Sequence, residues 1–226
     1  MANIIKPPKV LFSLTCVLFL IVSSVVYFSR PQLPPAITIN TKGQPTIGYA
    51  KARVHVVVFE EPKCSNCRDF TNQIFPSVKK DFIDTNKIRY TVIPVAFLPG
   101  SMPAANAALC VYYENPLYPN DDLFFKYLDF MYKHEGSEST DWATPATLLE
   151  FAKATSPAIH LKNLQNGIEK ETYRVQIEKN TAYGSQLMGG AIVTPTVYVN
   201  GIRVSDLSWD NLRKLIVEVL EHEGVL

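Results

Sequence analysis

Apolar positions along the chain fall into distinct patterns. The first is a continuous run, Val10 to Phe28, broken only by small or hydroxylated residues. A membrane-spanning helix needs about 20 apolar residues and a signal-peptide core about 7–15. The run is long enough for an uncleaved anchor, and Val22-Ser23-Ser24 offers a small-residue cleavage site for a signal. No face of the run is polar, which argues against a buried helix of a soluble domain. Lys6 and Lys9 precede it, so the N-terminus is expected in the cytoplasm with the rest exported. Cys16 lies inside the run and reads as a membrane-buried small hydrophobe.

Arg30 to Pro45 carries Pro31, Pro34, Pro35 and Pro45 and predicts a semi-extended spacer, with the folded domain starting near Thr46. Val54 to Phe59 is a short β-branched run, the pattern of a buried strand. Phe70 and Ile74 then repeat at helical spacing, and Val78 and Phe82 continue the stripe beyond a bend at Pro76. Ile88 to Val95 is a second apolar strand. The helix between the two makes a βαβ unit, so these strands should be parallel.

From Ala104 to Leu187 the three- and four-residue spacing of apolar positions predicts helices over Ala104 to Tyr113, Asp122 to His134, Thr147 to Lys153 and Thr172 to Leu187. Pro116, Pro119, Gly136, Pro145 and Pro157 punctuate them. This is an insertion of about 80 residues, longer than ordinary connections. After it, Ile192 to Val199 is followed by Asn200-Gly201, a two-residue hairpin signal. Ser208 is placed to cap a final helix whose buried face is Trp209, Leu212, Ile216 and Val219.

Composition adds limits. The chain has 226 residues, 19% of them charged, and a net charge of +1, which leaves no electrostatic footprint for nucleic acid. The cysteines Cys16, Cys64, Cys67 and Cys110 are too few for a disulfide scaffold. Only Cys64 and Cys67 are close, in Cys64-Ser65-Asn66-Cys67, between the first strand and its helix. That is the sequence form of a thioredoxin-like redox centre. A helix N-terminus offers unpaired N–H groups and partial positive charge, and both stabilise a nucleophilic thiolate. Zinc ligation by the pair would need two further ligands, and His55, His134, His160 and His222 show no such spacing. Cys110 sits on an apolar helix and reads as a buried inert thiol. Glu60 and Glu61 are the nearest acids; Glu61 is a candidate proton relay, with a solvated loop acid as the plainer reading. Lys63 and Arg68 flank the motif as surface charges, Lys63 being placed to lower the pKa of Cys64 modestly.

Taken together, Cys64-Ser65-Asn66-Cys67, Pro76, the helical insertion and Thr194-Pro195-Thr196 followed by Asn200-Gly201 resemble the DsbA-like branch of the thioredoxin superfamily over about residues 46 to 224. The resemblance implies an α/β chain with a thioredoxin fold and an inserted helical domain, preceded by the N-terminal hydrophobic helix. The expected divisions are 1–30 signal or anchor, 31–45 linker and 46–226 the domain, with the insertion at about 103–188. It also implies a protein thiol–disulfide oxidoreductase of the bacterial periplasm. Its partners would be cysteine-bearing exported proteins and a membrane redox partner, with no metal or organic cofactor. Cys64 would be the nucleophile and Cys67 the resolving thiol. Val193, Thr194 and Pro195 would form a substrate-binding loop facing the pair, with Pro195 cis.

Two positions depart from the family. The strong oxidant of the family has Pro-His between its cysteines, where this chain has Ser65-Asn66. Asn66 offers no charge to a thiolate, so the expected potential lies between about −120 mV and about −270 mV. Thioredoxins also bury an Asp six residues before the first cysteine, where this chain has Val58. The competing functions are a disulfide isomerase, a specific reductase and, in another class, a non-catalytic chaperone or adaptor. Dedicated isomerases carry an added dimerisation domain, for which Arg30 to Pro45 is too short.

Overall fold

The computed structural model describes residues 9–28 and 33–225. Residues up to Pro34 and from Pro35 onward form separate compact units. The first holds α1, Lys9–Phe28, whose described side chains, residues 12–22, are exposed. Among the described residues no helix is long and apolar enough to cross a membrane. Lys6, and the side chains at the cleavage site expected near Ser24, lie outside the described residues.

The second unit is built on a mixed sheet in the order β1-β3-β2-β4-β5. These strands are β1 (Thr46–Gly48), β2 (Val54–Glu60), β3 (Ile88–Pro94), β4 (Thr196–Val199) and β5 (Ile202–Arg203). β2 and β3 run parallel, as the intervening helix requires, with Val56 opposite Tyr90. β4 runs antiparallel to β2 with Thr196 opposite Phe59. That register sets the loop before β4 beside the residues that follow β2, where the cysteines lie.

From Val56 on, β2 is buried on both faces, which explains its apolar run Val56 to Phe59. Val57 and Phe59 pack with Ile93, Val95 and Tyr198 on one face. Burying each such side chain stabilises the fold by about 1.5–3 kcal/mol. The final helix α9 (Trp209–His222) packs on β2 and β4. Ser208 caps it, its hydroxyl accepting from Asn211 N–H, and Leu212, Ile216 and Val219 are its buried face, with Trp209 only half-buried.

Between β2 and β3 the helical path is broken in three. α2 (Ser65–Gln73) ends before Phe75, α3 (Phe75–Val78) restarts with Pro76 in its first turn, and a π-helical turn follows over Lys79–Ile83. Proline cannot supply the N–H that a continuous helix would need there.

The insertion between β3 and β4 holds α4 (Met102–Tyr112), α5 (Asp121–His134), α6 (Pro145–Thr155), α7 (Leu161–Glu169) and α8 (Arg174–Leu187). α7 has no counterpart in the sequence reading. Its Asn163, Asn166 and Gly167 are weak helix formers, and packing of Leu164 and Ile168 on α4 overrides them. Gly167 is required by close approach, since a Cβ there would lie 2.5 Å from Cys110 Sγ.

The spacer expected over residues 31–45 packs against the domain from Ile37 on. Ile37 N–H donates to Gly201 C=O at 3.0 Å, and Ile39 packs against the core. Asn40 N–H donates to Tyr183 Oη, and Gln44 bonds Asn180. Gly201 has φ +82, and a Cβ on it would sit 1.9 Å from Ile37 O. Glycine therefore serves both the hairpin turn and the docking of this segment.

Candidate active site

β2 delivers Glu60 to the C-terminal end of the sheet, and a turn closed by Cys64 N–H to Glu61 C=O leads into α2. Cys64 stands at the N-cap in extended conformation, with no side-chain cap bond. Cys67 lies in the first turn. Both are free thiols, Cys64 7% exposed and Cys67 fully buried.

The two thiols are tuned in opposite directions. Cys64 is lowered to about 6, above all by the hydrogen bond from Cys67. Burial opposes this, while the Thr194 hydroxyl and the N–H groups of Cys67 and Asn66 add to it. As a thiol, Cys64 points at the Thr194 carbonyl, 3.6 Å away, and Thr194 Oγ1 is buried without a partner. Loss of the proton turns the sulfur into the acceptor that Oγ1 lacks. Cys67 is pushed well above its ordinary value, first by burial and then by the bond to Cys64 and the negative charge of Glu60.

The Thr194–Pro195 bond is cis. Val193 is half-exposed beside it, its N–H directed at Met188 Sδ and its C=O accepting from Thr196 Oγ1. The loop expected to face the pair is thus placed against Cys64.

Glu61 corrects the solvated reading. It is fully buried, and neither carboxylate oxygen finds a hydrogen-bond partner. Burial pushes it to about 8; Ser101 and the Lys63 amide stand close enough to soften that rise without satisfying the group. Glu60 is equally buried and also raised to about 8 by burial, although the Tyr132 and Tyr90 hydroxyls donate to it at 3.2 and 3.4 Å. Glu135, at the end of α5, is raised to about 8 by burial, with Arg68 Nη1 3.6 Å away.

Lys63 is a second correction. It is 2% exposed rather than a surface charge, and its ammonium donates to Pro99 C=O at 2.6 Å. None of the leading influences on Cys64 comes from it. Beside it opens a cavity of about 600 Å³ lined by Lys63, Ser65, Arg68, Pro99, Glu138 and Asp141, among others. Glu138 accepts from both Ser65 N–H and Ser65 Oγ, each at 2.8 Å. Asn66 contributes its N–H to the thiolate and no charge.

Cys110 is buried, and burial pushes it to about 12, an unreactive thiol. Among the described residues no group of three or more His, Cys, Asp or Glu is placed to hold a metal ion. Sequence reasoning passed over Glu60, Glu135, Glu138 and Tyr132 as site residues. Glu60 carried a signal, an acid at the end of an otherwise apolar strand. The others arrive from the insertion and have no local signature.

A low-pKa thiol at a helix N-terminus, a buried high-pKa partner one turn on and a cis-proline loop against the first sulfur agree with what the comparisons show. The family model described as Thioredoxin matches residues 40–218. The chain is a member of the DsbA-like branch of the thioredoxin superfamily. It is 32% identical over 184 residues to disulfide bond formation protein D of Bacillus subtilis, covering 80% of this chain and 79% of that protein. The crystal structure of Chlamydia trachomatis DsbA superposes with a TM-score of 0.76 at 36% identity, covering 85% of this chain and all of that one. Oxidised BdbD of Bacillus subtilis gives 0.74 at 31% identity, covering 84% of this chain and all of that one. The DsbA-like fold expected from the motif order is therefore the fold found. The activity of this branch is thiol–disulfide oxidoreduction, and Cys64 and Cys67 supply its C-x-x-C pair.

Proposed function

We propose that the chain exchanges disulfides with cysteines of other exported proteins, with Cys64 as nucleophile and Cys67 as resolving thiol. The opposed tuning of the two sulfurs carries this reading. In the reductive direction the Cys64 thiolate attacks one sulfur of a substrate disulfide, and the other leaves as a thiolate. Cys67 then gives up its proton and attacks Cys64 Sγ, releasing the second substrate sulfur and closing the Cys64–Cys67 disulfide. The oxidative direction is the same path reversed, starting with a substrate thiolate attacking Cys64 Sγ. Glu60 and Glu61, with pKa values of about 8, take the proton that Cys67 must lose only as the pH nears 8 and they ionise, so exchange should quicken there. Val193, Thr194 and Pro195 would receive the substrate backbone in extended form.

The apolar run behind Lys6 and Lys9 supports export to the periplasm, as anchored or cleaved protein, and a membrane partner would reset the pair. The test is exchange with a disulfide-bonded protein. Cys64→Ala should abolish it, and Cys67→Ala should accumulate the mixed disulfide. Activity that survives Cys64→Ala would favour a non-catalytic adaptor instead. Equilibration with glutathione gives the potential, and a value at thioredoxin's about −270 mV would favour a reductase. A reporter active only in the cytoplasm, fused after Pro45, should stay silent.

A further inference from the structure

Ser65 has two donors, and one oxygen of Glu138 accepts from both. Ser65 is the first residue of α2 and follows Cys64 directly. Glu138 belongs to the loop between α5 and α6, within the insertion. A carboxylate from the insertion thus sits on the end of the helix that stabilises the Cys64 thiolate. The two hydrogen bonds hold that carboxyl ionised, below its ordinary range. The other charges near the pair play lesser parts: Lys63 and Arg68 also lower the Glu138 carboxyl, after the hydrogen bonds from Ser65. Glu60, Glu61 and Glu135 are buried and keep their protons up to about pH 8, Lys63 donates to Pro99, and Arg68 is tied to Asp69 and Glu135. A carboxylate and a thiolate at one helix N-terminus draw on the same partial positive charge, and they repel each other.

We propose that Glu138 is a positioning residue that holds down the oxidising power of the Cys64–Cys67 pair, acting through Ser65. This inference rests on the redox reading above. It separates the two residues of the motif dipeptide: Asn66 lends an N–H to the thiolate, whereas Ser65 fastens an opposing charge beside it. A proline at position 65 would have neither donor, yet it suits the first position of a helix, so Ser65→Pro should fold.

The experiment equilibrates the full chain with glutathione. Two glutathione thiols become one disulfide as the Cys64–Cys67 disulfide takes up two electrons and two protons. The Cys64 pKa is read in parallel from thiolate absorbance. Glu138→Gln should lower that pKa and shift the equilibrium about two- to fivefold towards the dithiol, the size of a charge effect at a helix end. In the Ser65→Pro background, Glu138→Gln should add nothing further, because the link is already cut. A merely structural role for Glu138 would not move both readouts together. An exchanging pair that is insensitive to Glu138→Gln, or a full shift that persists in Ser65→Pro, overturns this inference alone. A pair that never exchanges with glutathione overturns it together with the redox reading.

Discussion

At the scale of single residues, the site opposes two kinds of ionisable group, and stability against pH should reveal it. Glu60, Glu61 and Glu135 are each raised from 4.5 to about 8. Their contribution to stability is complete below about pH 4.5 and is lost as pH rises towards 8, because the unfolded chain releases protons that the folded one keeps. Cys64 acts with the other sign. Its folded value of about 6 lies below the ordinary 9.0, so its contribution is present above about pH 9 and is lost as pH falls through 6. Reduced protein should therefore lose Tm steeply from pH 5 to 6 and more slowly from 6 to 8, where one thiolate offsets one of three carboxyls. Oxidised protein has no thiolate to compensate and should go on losing Tm towards pH 8. Glu61→Gln should make the decline shallower in both forms. Identical slopes for reduced and oxidised protein in thermal melts would contradict this account.

At the scale of elements, what the sequence made legible were pieces whose signal is local. β2 and β3 announce themselves by β-branched runs, the β4–β5 turn by Asn200-Gly201, and α9 by its cap and apolar stripe. α7 went unread although Leu161, Leu164 and Ile168 repeat at helical spacing, because Asn163, Asn166 and Gly167 weaken the signal of so short a helix. Gly167 shows this most directly. Alanine is the better helix former by about 1 kcal/mol, yet Gly167→Ala should destabilise the protein, since the new methyl meets Cys110 Sγ. Overpacking of this kind costs about 1–3 kcal/mol. Cys110→Ala in the same chain should recover most of the loss, because the next contact, with Cys110 Cβ, is an ordinary 3.5 Å. Denaturant melts of the two single variants and the double variant decide the matter; additive losses would show that the two positions do not share a contact.

At the scale of the whole molecule, the cysteine pair was legible and its surroundings were not. Cys64, Cys67 and Thr194-Pro195 belong to the thioredoxin layers, whose order in sequence sets their meeting. Glu135, Glu138 and Tyr132 come from the insertion, and long-range packing alone brings them there. The same limit applies to residues 35–45. Four prolines in the stretch from Arg30 read as a spacer, but Ile37 and Ile39 dock through contacts with residues far along the chain. A chain trimmed to residues 35–226 should melt cooperatively. Trimming to residue 46 should lower its stability, by about 1 kcal/mol for each hydrogen bond lost, with the half-buried Ile39 adding to that. An unchanged melting temperature in the shorter chain would return residues 35–45 to the status of a spacer.

The loop that carries Glu138 also carries Trp142, which with Trp209 makes up the chain's whole complement of indoles. Trp142 packs beside Phe151 and against Gly136, where an added Cβ would lie 3.0 Å from its own, and its N–H is buried without a partner. Trp209 sits far along the chain, in α9 against Phe82. Indole emission responds to local polarity and field, so the molecule carries its own lamp in the loop that reaches Ser65 through Glu138, and a second one in α9 for reference. Closing or opening the Cys64–Cys67 disulfide should change the fluorescence through Trp142, and Trp142→Phe should erase that change while the α9 signal stays constant.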